Sequence, residues 1–342
     1  MDLPPTRAHA KLRLPASTGP PSDTNLPTPK VWVVFMATGQ IGRKITQAAL
    51  DHGDSVTAVG CTQGNALPEV QNWHKNCLGL FCDVRLRESI QIVLDTSIKH
   101  WGRIDIIVNA TSYGIIGACE DQNSSDLRSQ LENNFLGTLN IIQLSLPYFR
   151  QRSSLRPLDR QKRPIGNAGR YLILSSTAGA LGVPGLGPYY AIKSAIEGMI
   201  ESMLYEVDAF DIKATLVEPG HLRLEEPVNN SPSQQSRYGQ FLIKSPSAPY
   251  NNPTSPAAHA QRVMQWLGDR QPTSVTRCGE LVWQLGHCKY PPLRLLLGSL
   301  AVESVRDRLR SVIEEIEDWK YLHFVSSEGR ESDDSDEEEQ ES

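Results

Sequence analysis

Tyr189 and Lys193 are the pair of residues in this sequence best suited to chemistry, because they stand four apart in a segment of helical pattern. Residues at i and i+4 share one face of a helix. A tyrosine phenol, with an ordinary pKa of about 10, exchanges protons poorly near neutral pH, but an ammonium beside it favours the phenolate. The pair predicts an acid/base tyrosine tuned by a lysine. Tyr190 is out of register, because its i+4 partner is Ser194.

Ser176 is a third candidate, since it ends a strand-like run thirteen residues before Tyr189. Open α/β sheets bind ligands at the carboxyl ends of their strands, where a hydroxyl can donate a hydrogen bond to a substrate carbonyl. A serine that only closes a turn or caps a helix has the same signature, and a tyrosine four residues before a lysine also occurs by chance. The combination of Ser176, Tyr189 and Lys193 favours an active site.

The elements that would position these residues are short β-branched runs alternating with segments of helical period. Strands that alternate with helices of about ten to fifteen residues indicate right-handed βαβ units and a parallel sheet. The runs are continuously apolar, as expected of strands buried on both faces. The sequence predicts one Rossmann-type α/β domain, a doubly wound parallel sheet with helices on both faces and a C-terminal helical extension. The predicted strands read VWVVFM, SVTAVG, IDIIVNA, YLILSS and IKATLVEP.

A candidate dinucleotide loop follows the first strand, where MATGQIG leads into a helical segment. Read as G-x-x-G-x-x-G, it keeps Gly39 and Gly42 and places Met36 at the first glycine. Glycines here allow a tight turn and let a pyrophosphate reach the helix N-terminus. A strained side chain at the first position costs on the order of 1–3 kcal/mol, and an ordinary strand-to-helix turn is the alternative interpretation. The residues expected at the pyrophosphate are Thr38, Gly39, Gln40, Ile41 and Gly42.

The composition argues against several classes of protein. The net charge of −5 comes from the tail, since residues 328–342 hold nine acids and one arginine; the near-neutral body argues against a nucleic-acid partner. No run approaches the roughly 18 to 20 apolar residues of a membrane helix, and the start lacks the apolar core of a secretory signal. We therefore expect no membrane span and a cytoplasmic location. The six cysteines form no C-x-x-C pair, which predicts reduced thiols and no metal site.

The chain divides into an ordered domain and two polar ends. We expect residues 1–29 to be a disordered arm, 30–322 the domain and 323–342 a disordered acidic tail. Within the domain, residues 151–169 predict a surface loop, about 221–256 a mobile lid over the substrate, and about 257–322 the helical extension. One stripe of that extension should face the core; its members are Val302, Val305, Leu309, Val312, Ile313, Ile316 and Trp319.

Over residues 30–322 the chain resembles the short-chain dehydrogenase/reductase family, and the match is most specific in the middle. The family's active site contains an asparagine, a serine, a tyrosine and a lysine. These match Asn134 in NNFLGT, Ser176 in LSSTAGA, and Tyr189 and Lys193 in YYAIK. The resemblance implies a hydride transfer between a nicotinamide dinucleotide and a carbonyl or alcohol. In it Ser176 holds the substrate oxygen, Tyr189 transfers the proton, and Asn134 orders a water beside Lys193.

The resemblance extends to further cofactor positions. The end of the second strand has Cys61 and no acid, which favours NADP over NAD. The family pattern is broken at Met36, at Thr111-Ser112 after the fourth strand, and at Leu224. Besides the pyrophosphate loop, the positions implied to contact the cofactor are Cys61, Asp83, Val84, Asn109, Ala110, Tyr189, Lys193, Pro219, Gly220 and Leu222.

Three functions stay open at this point. The first is an NAD(P)-dependent oxidoreductase acting on a small, lipophilic metabolite, which by resemblance would pair into a homo-oligomer through the helices of Asn134 and Tyr189. The second is a weakly active or inactive Rossmann scaffold that acts through partners, favoured by Met36. The third is an epimerase or dehydratase with tightly held NAD, although the larger substrate domain expected of it is not evident.

Overall fold

The computed structural model of the protein describes its central domain in several stretches. They are residues 13–61, 73–154, 168–177, 182–220, 222–223, 237–238, 240–260, 262 and 274–322. The predicted acidic tail, the first twelve residues of the predicted arm, most of the loop at 151–169 and Leu224 lie outside the described residues.

The described strands form a seven-stranded sheet in the order β3-β2-β1-β4-β6-β7-β10, and every neighbouring pair is parallel. The buried runs β1 and β6 consist of apolar and β-branched residues with one buried arginine, which suits strands covered on both faces. This confirms the predicted doubly wound parallel sheet. The strands are β1 Val31–Phe35, β2 Ser55–Gly60, β3 Cys77–Phe81, β4 Ile106–Asn109, β5 Gly114–Ile116, β6 Gly169–Leu174, β7 Ile212–Pro219, β8 Arg237–Tyr238, β9 Phe241–Ile243 and β10 Arg294–Leu297.

Helices pack on both faces of the sheet and bury two separate cores. On one face α1 and α6 contribute Ile45 and Val282 to a cluster with Trp32, and on the other α2, α4 and α5 contribute residues such as Ile141 and Ile196. These positions recur at helical spacing, so each helix presents one apolar stripe to the sheet. The helices are α1 Gln40–Asp51, α2 Arg87–Trp101, α3 Ser124–Gln130, α4 Gly137–Ser154, α5 Gly187–Val207, α6 Val275–His287 and α7 Ser299–Trp319.

The sheet has its switch point between β1 and β4. Phe35 at the end of β1 is level with Val59 of β2 on one side and Asn109 of β4 on the other. The chain leaves β1 towards β2 and β3, and then returns to build the other half from β4 outwards. A crevice opens at the carboxyl ends of strands where the order reverses in this way, so the topology places the candidate loop and the candidate catalytic residues along one edge.

The N-terminal arm differs from its prediction. Leu14 is buried, and its backbone N–H donates to Gln284 of α6 at 3.1 Å. The carbonyl of Gly19 accepts from the backbone N–H of Lys289 at 3.0 Å. The prediction of disorder is therefore wrong for residues 13–29, since hydrogen bonds to α6 and the turn after it supply the stabilisation that few apolar side chains could.

A buried carboxylate ties β1 to α6. Asp54 accepts hydrogen bonds from the indole N–H groups of Trp32 and Trp283 at 2.9 and 3.1 Å, and contacts His287 Nε2 at 2.8 Å. Its other oxygen accepts from the backbone N–H of Lys30 at 2.8 Å. A buried carboxylate is stable only when its oxygens are hydrogen-bonded, so this cluster locks the start of the sheet to a helix near the end of the chain.

The C-terminal block also corrects two expectations. It contains β10, which pairs in parallel with β7 and adds a seventh strand to a region predicted to be helical only. The stripe on α7 does not face the core, because Ala301 is the only buried residue of that helix. The periodicity predicted the helix correctly, but the partner of its apolar face is not the sheet.

Candidate active site

Tyr189 lies in the first turn of α5, directly after Pro188. Its side chain is only 2% exposed. Its hydroxyl lies 3.0 Å from the hydroxyl of Ser112, in the segment after β4. Its ring meets that of Phe241 edge to face, with centroids 5.1 Å apart. The phenol is thus held in one orientation by a hydrogen bond at its tip and by packing along its ring.

Lys193 lies one helical turn further along and is also buried. Its ammonium donates to the backbone carbonyl of Leu174, at the end of β6, at 3.0 Å. The same Nζ is 5.5 Å from the centroid of the Tyr189 ring, within cation–π range. The i,i+4 spacing therefore places the ammonium beside the tyrosine, and the strand end fixes where it sits.

Asn134 lies in a π-helical segment, Leu131–Leu136, immediately before α4. Its side-chain amide makes two hydrogen bonds with the backbone of Tyr113. It accepts one from the N–H at 2.9 Å and donates one to the carbonyl at 2.6 Å. Single turns of π-helix recur at functional sites. Because Tyr113 follows Ser112, Asn134 positions the segment that carries the hydrogen-bond partner of Tyr189.

Two serines end β6, and they differ in surroundings. Ser176 is half-buried, whereas the buried Ser175 donates to Glu197 Oε1 at 2.7 Å. Glu197 lies one turn after Lys193 on α5, and its other oxygen pairs with Arg294 of β10 at 2.6 Å. This hydrogen-bond chain fixes the end of β6, which Ser176 follows.

Arg294 also binds Glu218, the buried residue that precedes Pro219 in β7, at 2.7 Å. Burial, together with the neighbouring carboxylate of Glu197, raises the pKa of Glu218 to about 7 even though Arg294 opposes the shift. Residues from three strand ends and from helix α5 thus meet in one cluster of charged groups that also includes a serine hydroxyl. Its members are Ser175, Glu197, Glu201, Glu218 and Arg294.

A small sheet of β5, β9 and β8 packs against Tyr189. A Cβ on Gly114 of β5 would lie 2.9 Å from Tyr189 Cδ2 and 2.6 Å from Phe241 Cδ1, so the close approach requires glycine there. Lys244 after β9 forms an ion pair with Asp126. Part of the segment predicted to be a mobile lid, residues 240–256, is therefore anchored, while residues 221, 224–236 and 239 lie outside the described part of the chain.

The candidate dinucleotide loop lies between β1 and α1. Met36 has a φ of 63°, the left-handed conformation that favours glycine. A Cβ on Gly42 would come within 2.2 Å of the Met36 carbonyl oxygen, so this turn requires the glycine retained there. Gly39 precedes the first turn of α1 without a side-chain cap. The loop therefore keeps the backbone shape of a glycine-rich turn, although its first glycine is missing.

The surroundings of that loop fit a dinucleotide. The uncapped first turn of α1 offers N–H groups and the positive end of the helix dipole to a pyrophosphate. Thr38 Cγ2 lies 3.1 Å from the position that a Cβ on Gly60 would take, so the loop borders the end of β2, where Cys61 follows. Asn109 ends β4 with its side chain bound to Thr138 and to the N–H of Thr111.

Some of the residues predicted to contact the cofactor are engaged by other residues of the chain. Asp83 is engaged by Arg85 through contacts of 2.6–3.1 Å, which hold the pKa of that carboxyl below its ordinary value. Gly220 donates its N–H to Leu297 of β10 at 3.1 Å, and Leu222 packs against the core under α1 and α6. These residues end or follow strands at the carboxyl edge of the sheet, as do Val84, Ala110 and Pro219, and their contact with a cofactor stays a prediction.

Three residues at the site were not predicted as participants. Ser112 could have been suspected from its place after a parallel strand, and Glu197 from its spacing of four after Lys193. Phe241 gave no signal, because it comes from a Pro- and Ser-rich segment whose return to Tyr189 depends on the fold. Among the described residues, no cluster of three His, Cys, Asp or Glu side chains could hold a metal ion.

Comparisons with known proteins identify the family of this chain. The sequence profile of a family described as short chain dehydrogenase matches residues 30–234. An oxidoreductase of Botryotinia fuckeliana is 26% identical over 306 residues, covering 87% of this chain and 99% of the relative. Within the described residues, no helix is both long and apolar enough to cross a bilayer.

Solved structures of short-chain dehydrogenases also superpose on this chain. A short-chain dehydrogenase from Streptomyces avermitilis superposes with a TM-score of 0.70 at 27% identity, covering 86% of this chain and 98% of that one. A short chain dehydrogenase/reductase from Burkholderia phymatum, solved in complex with NAD, has a TM-score of 0.63 at 16% identity, covering 84% and 95% of the two chains. The second likeness concerns the fold alone.

Proposed function

Because the chain belongs to the short-chain dehydrogenase/reductase family of oxidoreductases, we propose that it interconverts a carbonyl and an alcohol on a small lipophilic metabolite, with NADP or NAD as hydride carrier. The observation that carries the proposal is the arrangement around Tyr189. Its phenol is held by Ser112, and an ammonium lies beside its ring. Together they favour proton transfer by Tyr189.

In the reductive direction, Ser176 donates a hydrogen bond to the substrate carbonyl and Tyr189 gives its proton to the oxygen as negative charge develops there. Ser112 can then donate to the phenolate that remains, since a hydroxyl is both donor and acceptor. Lys193 stabilises that phenolate by its charge while Leu174 keeps the ammonium in place. The reverse sequence removes the proton from an alcohol.

The bound nicotinamide dinucleotide would supply or accept the hydride. The first turn of α1, with Gly39 and Gly42, would hold its pyrophosphate, and Asn109 with Ala110 would lie beside its adenosine. Lys193 has further N–H donors to offer to a ribose hydroxyl. Tyr189, Lys193, Pro219 and Gly220 would border the nicotinamide half.

We also propose that the protein prefers NADP over NAD. Cys61 follows β2, where an acid would accept the ribose hydroxyls of NAD and would repel a ribose phosphate. Replacing Cys61 by Asp should shift the ratio of NADPH to NADH affinity towards NADH. An unchanged ratio would place the selecting residue elsewhere, and Cys61→Ser is the matched control.

A weakly active scaffold is the second candidate. It is supported by Met36, because a side chain at a φ of 63° strains the backbone of the dinucleotide loop. Calorimetric titration of the purified chain with NADPH and NADH separates the two functions. Saturable binding, followed by turnover of a carbonyl substrate panel, supports the enzyme. Absence of binding at millimolar cofactor would overturn it in favour of the scaffold.

A further inference from the structure

Helix α7 leaves the body of the domain with an apolar face that nothing in the described part of the chain covers. Its first turn is anchored where Ala301 packs against Gly220. Beyond that turn, large apolar side chains are 36 to 59% exposed. Exposed apolar residues that are contiguous rather than scattered mark an interaction surface. The exposed members are Val302, Leu309, Ile313, Ile316 and Trp319.

The spacing of this face is that of a coiled coil. Six apolar residues follow one another at intervals of three, four, three, four and three, which is the alternation of a and d positions in a heptad repeat. A helix that lies on the domain core needs a broader stripe. The narrow seam fits a single helix as its partner. The seam consists of Val302, Val305, Leu309, Val312, Ile316 and Trp319.

The charges along α7 indicate which helix could pair with its seam. From Ser299 to Arg310 the helix carries three arginines and two acids, and from Ser311 to Trp319 it carries four acids and no cation. A parallel copy would bring eight acids together, whereas an antiparallel copy sets each acidic half against an arginine-rich half. We propose that the seam of α7 pairs with the same seam of a second copy of this chain in antiparallel orientation.

The sequence is self-complementary in that orientation. One register sets Val302 opposite the second copy's Trp319, Val305 opposite its Ile316, and Leu309 opposite its Val312, so all six seam residues are matched. The same register brings Arg308 close to the second copy's Glu315, and the two-fold axis repeats each contact. A closed, isologous pair of helices about 31 Å long results.

Other occupants fit less well. The twenty-three residues after α7 include nine acids and five serines, and their four large apolar residues, all within 321–325, are too few to cover a seam of six. A membrane surface is disfavoured, because the polar face of α7 carries three arginines and six acids and anionic lipids repel such a net charge. The seam is also remote in sequence from the helices of Asn134 and Tyr189, so pairing there would add to any other association.

The first test measures the mass of the full chain by sedimentation equilibrium. Leu309→Glu places a charge at the centre of the seam, and its self-association constant should weaken at least about a hundredfold, since it would bury an unpaired carboxylate. The measured mass should then fall to half that of the wild type. Ser311→Glu adds the same charge outside the seam and should not change the mass. Equal masses for wild type and Leu309→Glu would overturn the proposal.

The second test addresses orientation. Arg308→Glu and Glu315→Arg should each weaken self-association, because each creates two like-charge pairs across the antiparallel interface. Mixing the two variants in equal amounts should restore the higher mass, since in the mixed pair both contacts have opposite charges. A parallel pair brings neither residue against the other, so a mixture with no higher mass than its components would refute the antiparallel arrangement.

Discussion

The two halves of the candidate site are held together in different ways. Around Tyr189, side chains from different elements bond to one another, and the phenol, Ser112, Asn134 and Lys193 each have a defined partner. In the dinucleotide loop, shape is held by backbone conformation and by the close contact of Gly42 with the Met36 carbonyl. A loop held by its backbone can therefore lose a residue of its motif and keep its shape, whereas the Tyr189 side depends on individual functional groups.

The largest expected effect is therefore on the Tyr189 side. Tyr189→Phe removes the proton donor but keeps the ring against Phe241, so kcat should fall by about 10² to 10⁴-fold. Calorimetry should find NADPH affinity within about threefold of wild type, because the phenol contributes little to pyrophosphate binding. Turnover that survives the change would show that Tyr189 is not the proton donor and that its contacts are only structural.

The next effect concerns the ionisable cluster behind that half. The folded-state pKa of Glu218 is raised from an ordinary 4.5 to about 7, so the folded protein binds this proton more tightly than the unfolded chain. The stability it contributes is complete below about pH 4.5 and is lost as pH rises through 7. Glu218→Gln should reduce the fall in unfolding free energy between pH 5 and pH 8 by roughly 1–3 kcal/mol.

Urea unfolding at several pH values measures this difference, and Glu206→Gln, an exposed carboxylate on α5, is the control. Parallel curves for wild type and Glu218→Gln would mean that Arg294 holds the carboxylate ionised throughout.

A smaller effect is expected in the dinucleotide loop. Met36→Gly and Met36→Ala both remove the side chain, but only glycine adopts a φ of 63° without strain. The glycine variant should be more stable than the alanine variant by about 1 kcal/mol, measured by urea unfolding without cofactor. If alanine proves equal or better, the loop does not carry backbone strain.

The smallest effect should come from Ser112, which supports Tyr189 without replacing it. Ser112→Ala removes one neutral hydrogen bond, so kcat should fall about three- to tenfold with little change in KM. A Ser112→Thr variant that keeps the hydroxyl should restore kcat, whereas a kcat for Ser112→Ala equal to that of the wild type would show that this hydroxyl does not support Tyr189 in turnover.

Local pattern was enough to predict the sheet, the helix of Tyr189 and Lys193, and the position of both candidate regions at or near strand ends of that sheet. These follow from apolar runs and from the i,i+4 geometry of a helix, which are properties of neighbouring residues. Whether Tyr189 meets Ser112 and Phe241 depends on how β5 and β9 return to α5, and no local pattern encodes that. The same limit explains the error at Leu14, whose burial relies on Gln284, and the error on α7, where periodicity reveals an apolar face but not what covers it.

The bonds that Asp54 makes to Trp283 and His287 have a consequence for biosynthesis. The acid and the imidazole are separated by 233 positions, so in a nascent chain this carboxylate lacks its partners Trp283 and His287 until α6 has left the ribosome. We expect the sheet to mature late in translation, and fragments that stop before residue 275 to be cleaved readily by added protease. Resistance of such a fragment would show that the first half of the molecule folds without its closing helix.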